Sequence, residues 1–177
     1  MNTLCDIAPN RVQENELETE QNIPTERLGQ IYKRILVGTD FSVASNSAFE
    51  QGLKLAKQNG AELLIAHACA TPNTLCFMPP ECYGEWELSS RAEANKNIGS
   101  LIHKAHKEGV KAHRVLLRGL ADDAIIEAAK RLGVDLVVIG THGRRGVSRF
   151  IMGSVAAHVV SRAPCAVLTA RASDRVS

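Results

Sequence analysis

Five short, mostly apolar segments, separated by stretches with helical periodicity, constrain the fold of this 177-residue chain more than any other feature. They lie at 35–37, 63–66, 114–117, 136–139 and 165–169. Short segments rich in Val, Ile, Leu and Ala are typical of strands that are buried on both faces of a parallel sheet. Because strands and helices alternate, the sequence predicts right-handed crossovers and an α/β fold, an open parallel sheet with helices on both faces.

The stretches between the strands predict four helices. Ser42 or Ser45 begins the first, because a serine hydroxyl can cap an amide of the first turn, and Asn59-Gly60 ends it. The second runs from about 88 to 108, the third from 122 to a stop at Gly133, and the fourth from about 154 to 162. The predicted inward residues are Ala48, Phe49, Gly52, Leu53 and Ala56 in the first helix, Leu88, Ala92, Leu101, Ile102 and Ala105 in the second, and Ile125, Ile126, Ala129 and Leu132 in the third.

The beginning of the chain differs from the rest in charge. Residues 1–30 carry six acidic and two basic side chains and few apolar ones, too few to offset the entropy of ordering. We therefore expect a disordered acidic tail at 1–30, one folded domain at 31–172 and a short tail at 173–177. Residues 31–177 carry thirteen acidic and nineteen basic side chains, a balance that suits a small anionic ligand. The bases are spread along the chain, which disfavours nucleic acid as a partner.

Other classes of protein are disfavoured by what the chain lacks. No apolar stretch approaches the roughly 20 residues needed to span a bilayer, and the start has no signal-peptide pattern, so we expect a cytoplasmic protein. Five cysteines without a CxxC pair indicate reduced thiols rather than a disulfide framework. His67, Cys69, Cys76 and Cys82 match no metal-ligand spacing, so no metal site is predicted there.

The predicted topology selects two loops as the place for a ligand. Ligands of open parallel sheets lie beyond the carboxyl ends of the strands, where the strand order reverses. Here these loops are Gly38-Thr39-Asp40, after the first strand, and the loop that begins at Gly140, after the fourth. Asp40 has two interpretations: it hydrogen-bonds amides of its own loop, or it contacts a ligand directly or through a metal ion.

Glycine spacing in the second loop indicates a phosphate site. The loop contains Gly140, Gly143 and Gly153. Gly153 directly precedes Ser154, which lies at the start of the fourth helix. Glycines let backbone amides approach phosphate oxygens, and the helix start adds unpaired amides at the positive end of the helix dipole. The Walker A and GxGxxG patterns are absent. Three arginines of the loop, Arg144, Arg145 and Arg149, either neutralise phosphates or are merely solvated.

In this loop a glycine is followed by two residues, a second glycine, nine residues and then Gly-Ser. This spacing resembles the signature of the ATP-binding branch of the universal stress protein family. The segments ILVGTDFS at 35–42, LIAHA at 64–68, VVIG at 137–140 and APCAVL at 163–168 are similar to the family's strands and loops. The resemblance spans about 32–171 and implies a Rossmann-like, adenine nucleotide alpha hydrolase-like fold with a five-stranded parallel sheet. It also implies a homodimer paired through the last strand and ATP, with Mg²⁺, as the ligand.

The resemblance further implies the residues of the site. Thr39, Asp40 and Ala68 are expected around adenine and ribose, although the family often has valine at the position of Ala68. Ribose and phosphates are expected at the end of the fourth strand, in the glycine loop and at the start of the fourth helix, on Ile139, Gly140, His142, Gly143, Gly153, Ser154 and Val155.

The predicted function is that of a nucleotide-dependent regulatory module in the stress response, read by a partner protein that the sequence does not identify. The alternatives are a slow ATPase and an interaction protein that needs no nucleotide. No catalytic residue is predicted, because neither a GxSxG elbow nor a Cys-His signature is present.

Overall fold

The computed structural model describes residues 31–69, 83–141 and 152–171. The predicted tails at 1–30 and 173–177 lie outside these ranges. The described residues form five strands and four helices: β1 (Arg34–Gly38), α1 (Val43–Asn59), β2 (Glu62–Cys69), α2 (Tyr83–Lys107), β3 (Ala112–Arg118), α3 (Ala121–Arg131), β4 (Leu136–Gly140), α4 (Ser154–Arg162) and β5 (Ala166–Ala170). The predicted alternation of strands and helices is confirmed.

All five strands form one parallel sheet in the order β3-β2-β1-β4-β5. The chain starts at the centre with β1, adds β2 and β3 on one side, and then crosses to add β4 and β5 on the other. The strand order therefore reverses between β1 and β4, which are the two strands whose loops the sequence selected. The predicted fold class, an open parallel sheet with helices on both faces, is confirmed.

Two apolar layers hold the helices against the sheet. α1 and α2 cover one face, where Phe49, Ile98 and Ala105 pack against strand residues such as Ile35 and Val37. The second layer places α3 and α4 on the other face against alternate strand residues, among them Leu36, Leu64 and Val137. Because neighbouring β1 residues point into opposite layers and are wholly buried, β1 reads as a continuous apolar run.

α1 lies unusually close to the sheet at Gly52. A Cβ atom added to Gly52 would lie 2.4 Å from Cγ2 of Val37, a distance at which atoms overlap. The absence of a side chain thus sets the spacing between α1 and β1. At its start α1 is capped by Ser42, whose side chain accepts from the Ser45 amide, so Ser42 is the cap of the two predicted candidates. At its end Gly60 adopts a left-handed φ of 62°, as the predicted Asn59-Gly60 stop requires.

The predicted inward face of α2 is partly wrong. The helix begins at Tyr83, before the predicted start, and Leu88 and Ala92 are exposed, whereas Ala94 and Ile98 are buried. At 25 residues α2 is about 38 Å long, against about 23 Å for the seven residues of β3. The Glu87 carboxylate contacts the Arg118 guanidinium at the last residue of β3, so the neighbouring Leu88 lies at the end of the sheet, whereas Ala92 lies on the opposite side of the helix from the buried Ala94 and Ile98.

Smaller differences concern element ends. β3 is longer than the predicted 114–117, because Ala112 and His113 extend it at its amino end and Arg118 extends it at its carboxyl end. In α3, Ala128 is buried beside Ile125 and Ala129, while Ile126 and Leu132 are only partly covered. Within the described residues, no helix is both long and apolar enough to cross a membrane.

Candidate functional site

A crevice opens at the carboxyl ends of β1 and β4. The two strands pair as far as Gly38 and Ile139. Beyond that point the Thr39 amide donates to the Ala66 carbonyl of β2, and the Thr141 amide donates to the Ala170 carbonyl of β5. The segment after β1 thus stays hydrogen-bonded to β2 and the segment after β4 to β5, while the two segments separate from each other. This divergence is the physical origin of the crevice at the reversal of strand order.

Gly140 lies where the end of β4 meets the start of α1. A Cβ atom at this position would lie 2.8 Å from the Ala44 carbonyl carbon and 2.9 Å from the Ser45 nitrogen. These neighbours are backbone atoms, which cannot rotate aside as a side chain can. Gly140 is therefore required by packing, a role the sequence argument, which assigned it to phosphate contact, did not include.

The loop from Thr39 to Ser42 is held by its own side chains. Oδ1 of Asp40 accepts a hydrogen bond from the Ser42 amide (3.1 Å), and Oγ1 of Thr39 accepts one from the Phe41 amide (3.0 Å). Oγ1 of Thr39 also lies 3.2 Å from Oγ of Ser45, which is buried in α1. The local interpretation of Asp40 is thus present in the structure, and these bonds attach the loop to the first turn of α1.

The start of α4 lies beside the other wall of the crevice. The Gly153 amide donates to the Thr141 carbonyl (2.7 Å), which ties the helix start to the end of β4. Gly153 is the N-cap residue and offers no capping side chain, and the first turn contains no acidic residue. The first amides of a helix have no acceptor within the helix, so those of Ser154 and Val155 are available to an anion.

The starts of α1 and α3 differ from that of α4. α1 is capped by Ser42, and α3 carries Asp122 and Asp123 in its first turn. The pKa of the Asp122 carboxyl is held below its usual range, first by a 2.6 Å hydrogen bond with Nδ1 of His158 and then by backbone amides of its own helix start. A carboxylate that stays ionised neutralises the positive end of α3. Of these three helix starts, α4 is therefore the best suited to an external anion.

The structure brings several predicted site residues to this crevice. The ends of β1 and β4 contribute Thr39, Asp40, Ile139 and Gly140. The start of α4 contributes Gly153, Ser154 and Val155, which the hydrogen bond from the Gly153 amide to the Thr141 carbonyl holds beside the end of β4. The Ile139 side chain packs in the second apolar layer, so a ligand would meet only its backbone. His142 and Gly143 lie outside the described residues, as do Arg144, Arg145 and Arg149.

Ala68 lies farther along β2. It pairs in register with Leu117 and packs against the layer that contains α3 and α4. Ala68 comes two residues after Ala66, whose carbonyl accepts from the Thr39 amide, so it lies on the β2 side of the crevice.

His67 and Phe41 are parts of this region that the sequence argument missed. Nδ1 of His67 lies 2.8 Å from the Thr39 carbonyl oxygen, and the His67 ring faces that of Phe41 with 4.7 Å between centroids. The available signal was a polar ring two residues after the buried Ile65, on the same strand face and next to the selected loop.

The described thiols are poor ligands and nucleophiles. Burial raises the pKa of Cys69, and burial likewise raises that of Cys165, so both favour the protonated form. Within the described ranges no group of three His, Cys, Asp or Glu side chains is placed to hold a metal ion. Cys76 and Cys82 lie outside those ranges.

Comparison with known proteins gives the family. The model of the universal stress protein family matches residues 31–171. The chain belongs to the universal stress protein family. A universal stress protein of Methanocaldococcus jannaschii is 33% identical over 144 residues, which cover 80% of this chain and 83% of the relative.

Solved structures of universal stress proteins share the fold. The universal stress protein UspA from Lactobacillus plantarum aligns with a TM-score of 0.71 at 24% identity, covering 79% of this chain and 98% of that one. A universal stress protein in complex with cAMP aligns with a TM-score of 0.54 at 28% identity, covering 80% of this chain and 98% of that one. The five-stranded parallel sheet is thus the architecture of this family.

Proposed function

We propose that this universal stress protein binds an adenine nucleotide, ATP with Mg²⁺, in the crevice between β1 and β4 and acts as a nucleotide-dependent regulatory module. The observation that carries the proposal is the start of α4, which has neither a capping side chain nor an acidic residue and is tied to the end of β4. A helix start of this kind attracts phosphate. The similar protein that was solved with cAMP supports an adenine nucleotide as the ligand class.

In this proposal the two walls of the crevice have different tasks. Phosphates meet the amides of Ser154 and Val155, while Thr39, Asp40 and Ala68 surround adenine and ribose. Mg²⁺ in proteins keeps several waters and takes one or two carboxylates together with substrate phosphates. Asp40 is half-buried at the crevice and supplies one such carboxylate, so the residues present fit the ion.

Binding without rapid turnover is the form of the proposal that the loop geometry favours. Hydrolysis requires a group that orients water toward the terminal phosphate. The Asp40 carboxylate is assigned to Mg²⁺ in this proposal and also accepts a hydrogen bond from the Ser42 amide, so it is not assigned to orienting water. The regulatory reading follows: the nucleotide favours one state of the protein, and a partner protein recognises that state.

The test is calorimetric titration of the purified protein with ATP, with and without Mg²⁺, and an assay of released phosphate on the same sample. Saturable binding with negligible phosphate release supports the regulatory module. Steady release would replace it with the slow ATPase. Absence of binding to ATP and to cAMP would contradict the nucleotide site and favour an interaction protein that needs no nucleotide.

We also propose that two copies pair through β5. β5 is an edge strand, so one row of its backbone amides and carbonyls faces away from the sheet. Val167 and Leu168 are partly exposed on it, and Val160 of the neighbouring α4 is 48% exposed.

Light scattering tests the dimer and should give a particle mass of twice the chain mass of 19.2 kDa. The substitution Val167→Pro should reduce the particle mass to that of one chain, because proline has no backbone N–H to donate to a partner strand. A single-chain mass for the unaltered protein would contradict the dimer.

A further inference from the structure

The loop after β1 contains a backbone conformation that needs support. Phe41 has a φ of 63°, and among the described residues it is the one non-glycine residue with positive φ. A residue with a bulky side chain adopts this region only where surrounding contacts compensate for the steric cost. Such positions cluster at functional sites, and Phe41 directly follows Asp40.

His67 of β2 contacts the residues on both sides of Asp40. Its Nδ1 lies 2.8 Å from the Thr39 carbonyl oxygen, and because a carbonyl oxygen only accepts, this nitrogen carries a hydrogen and donates. Its ring also packs against the Phe41 ring, with the planes inclined by 32°. One side chain thus fixes the residue before Asp40 by a hydrogen bond and the residue after it by ring contact.

Folding of the sheet does not by itself call for histidine here. Leu63 and Ile65, which precede His67 on the same strand face, are wholly buried apolar residues in the layer under α1 and α2. An apolar residue at position 67 would continue that layer. His67 is instead partly exposed, and its polar atom is directed at the loop.

We propose that His67 is a positioning residue that holds the loop around Asp40 in the conformation that nucleotide binding requires. It acts through Thr39 and Phe41 and has no assigned contact with the nucleotide. The binding part of this inference rests on the proposed nucleotide site, whereas the ordering of the loop does not.

The first variant is His67→Phe, which keeps an aromatic ring beside Phe41 and removes the donor to Thr39. We expect amide hydrogen exchange at Phe41 and Ser42 to become about tenfold faster and ATP affinity to fall about tenfold, as for loss of one hydrogen bond at a partly buried carbonyl. The matched control is His113→Phe. His113 is exposed near the amino end of β3, away from the crevice at the carboxyl ends of the strands, and its variant should change neither quantity.

A second substitution distinguishes positioning from ordinary packing. Phe41→Gly introduces a residue that adopts a positive φ without strain. In the His67→Phe background it should therefore restore most of the lost affinity and slow the exchange at Ser42 again. If His67 served only core packing, removal of the Phe41 ring would deepen the loss instead.

The two readouts separate the possible failures. If the unaltered protein binds no nucleotide, the proposed function fails, and hydrogen exchange in the free protein still tests the loop. Unchanged exchange and unchanged affinity in His67→Phe would overturn the positioning role. A further loss on addition of Phe41→Gly would overturn it as well.

Discussion

At Gly140, the space that a side chain would need is filled by the backbone of α1. The nearest atoms to an added Cβ are the Ala44 carbonyl carbon, the Ser45 nitrogen and the Ala44 oxygen, at 2.8, 2.9 and 3.0 Å. The sequence predicted a glycine loop from the spacing of 140, 143 and 153, but the spacing contains no information about which backbone lies opposite. Similarly, the rule on the reversal of strand order indicated the loop of Asp40 but not the contact between His67 and Phe41, because that contact joins residues 26 positions apart.

The substitution Gly140→Ala should destabilise the protein. Overpacking against backbone atoms costs about 1–3 kcal/mol of unfolding free energy, and the shift of α1 should also weaken nucleotide binding. Urea denaturation measures the first effect and titration the second. Gly99→Ala is the matched control, because no atom lies within 4 Å of an added Cβ on this exposed position of α2, and alanine there should stabilise by about 0.5–1 kcal/mol. Equal effects of the two substitutions would contradict the packing role of Gly140.

At the scale of elements, helix existence was predictable and helix faces were less so. The face of α3 follows from local spacing, since Ile125 and Ala129 lie four positions apart and both are buried. For α2 the same argument failed at Leu88, because burial depends on how far the sheet reaches beneath the helix. That reach is set by the end of β3 at Arg118, which lies thirty residues farther along the chain.

α3 and α4 are joined by contacts of two carboxylates, and one of these carboxylates has a perturbed pKa. The Asp122 carboxylate forms a 2.6 Å hydrogen bond with Nδ1 of His158, and Asp123 forms an ion pair with Arg162 at 2.8 Å. The folded-state pKa of Asp122 is lowered, so its contribution to stability is present above the unfolded value of about 3.9 and is lost as pH falls toward the folded value.

The variant Asp122→Asn tests this dependence. Near neutral pH it should have a lower free energy of unfolding than the unaltered protein, and the two values should converge as pH falls below about 4. The measurement is urea denaturation across this pH range. A difference that stays constant down to acid pH would show that the ionised carboxylate is not the cause.

For the molecule as a whole, the order of the sheet explains why the predicted and the observed crevice agree. Strands that alternate with helices can be assigned from the sequence, and the proposed position of the ligand follows from a rule about the reversal of strand order, which occurs between β1 and β4. The close contacts inside the crevice could not be predicted in this way, because they depend on the His67 side chain of β2, the backbone of α1 and the Gly153 amide before α4, which meet only after folding. His142 and Gly143 lie outside the described residues, so their assigned roles stay predictions.

The most direct test of the proposed nucleotide site introduces an acidic residue at the start of α4. Ser154→Asp should leave the fold intact, since a carboxylate favours a helix start, yet it should weaken ATP binding at least about tenfold by repelling phosphate. Ser161→Asp, at the other end of the same helix, is the control and should leave the affinity unchanged. The measurement is calorimetric titration of the three proteins with ATP and Mg²⁺. A lower affinity confined to Ser154→Asp is the predicted result, and equal affinities for all three proteins would contradict phosphate binding at α4.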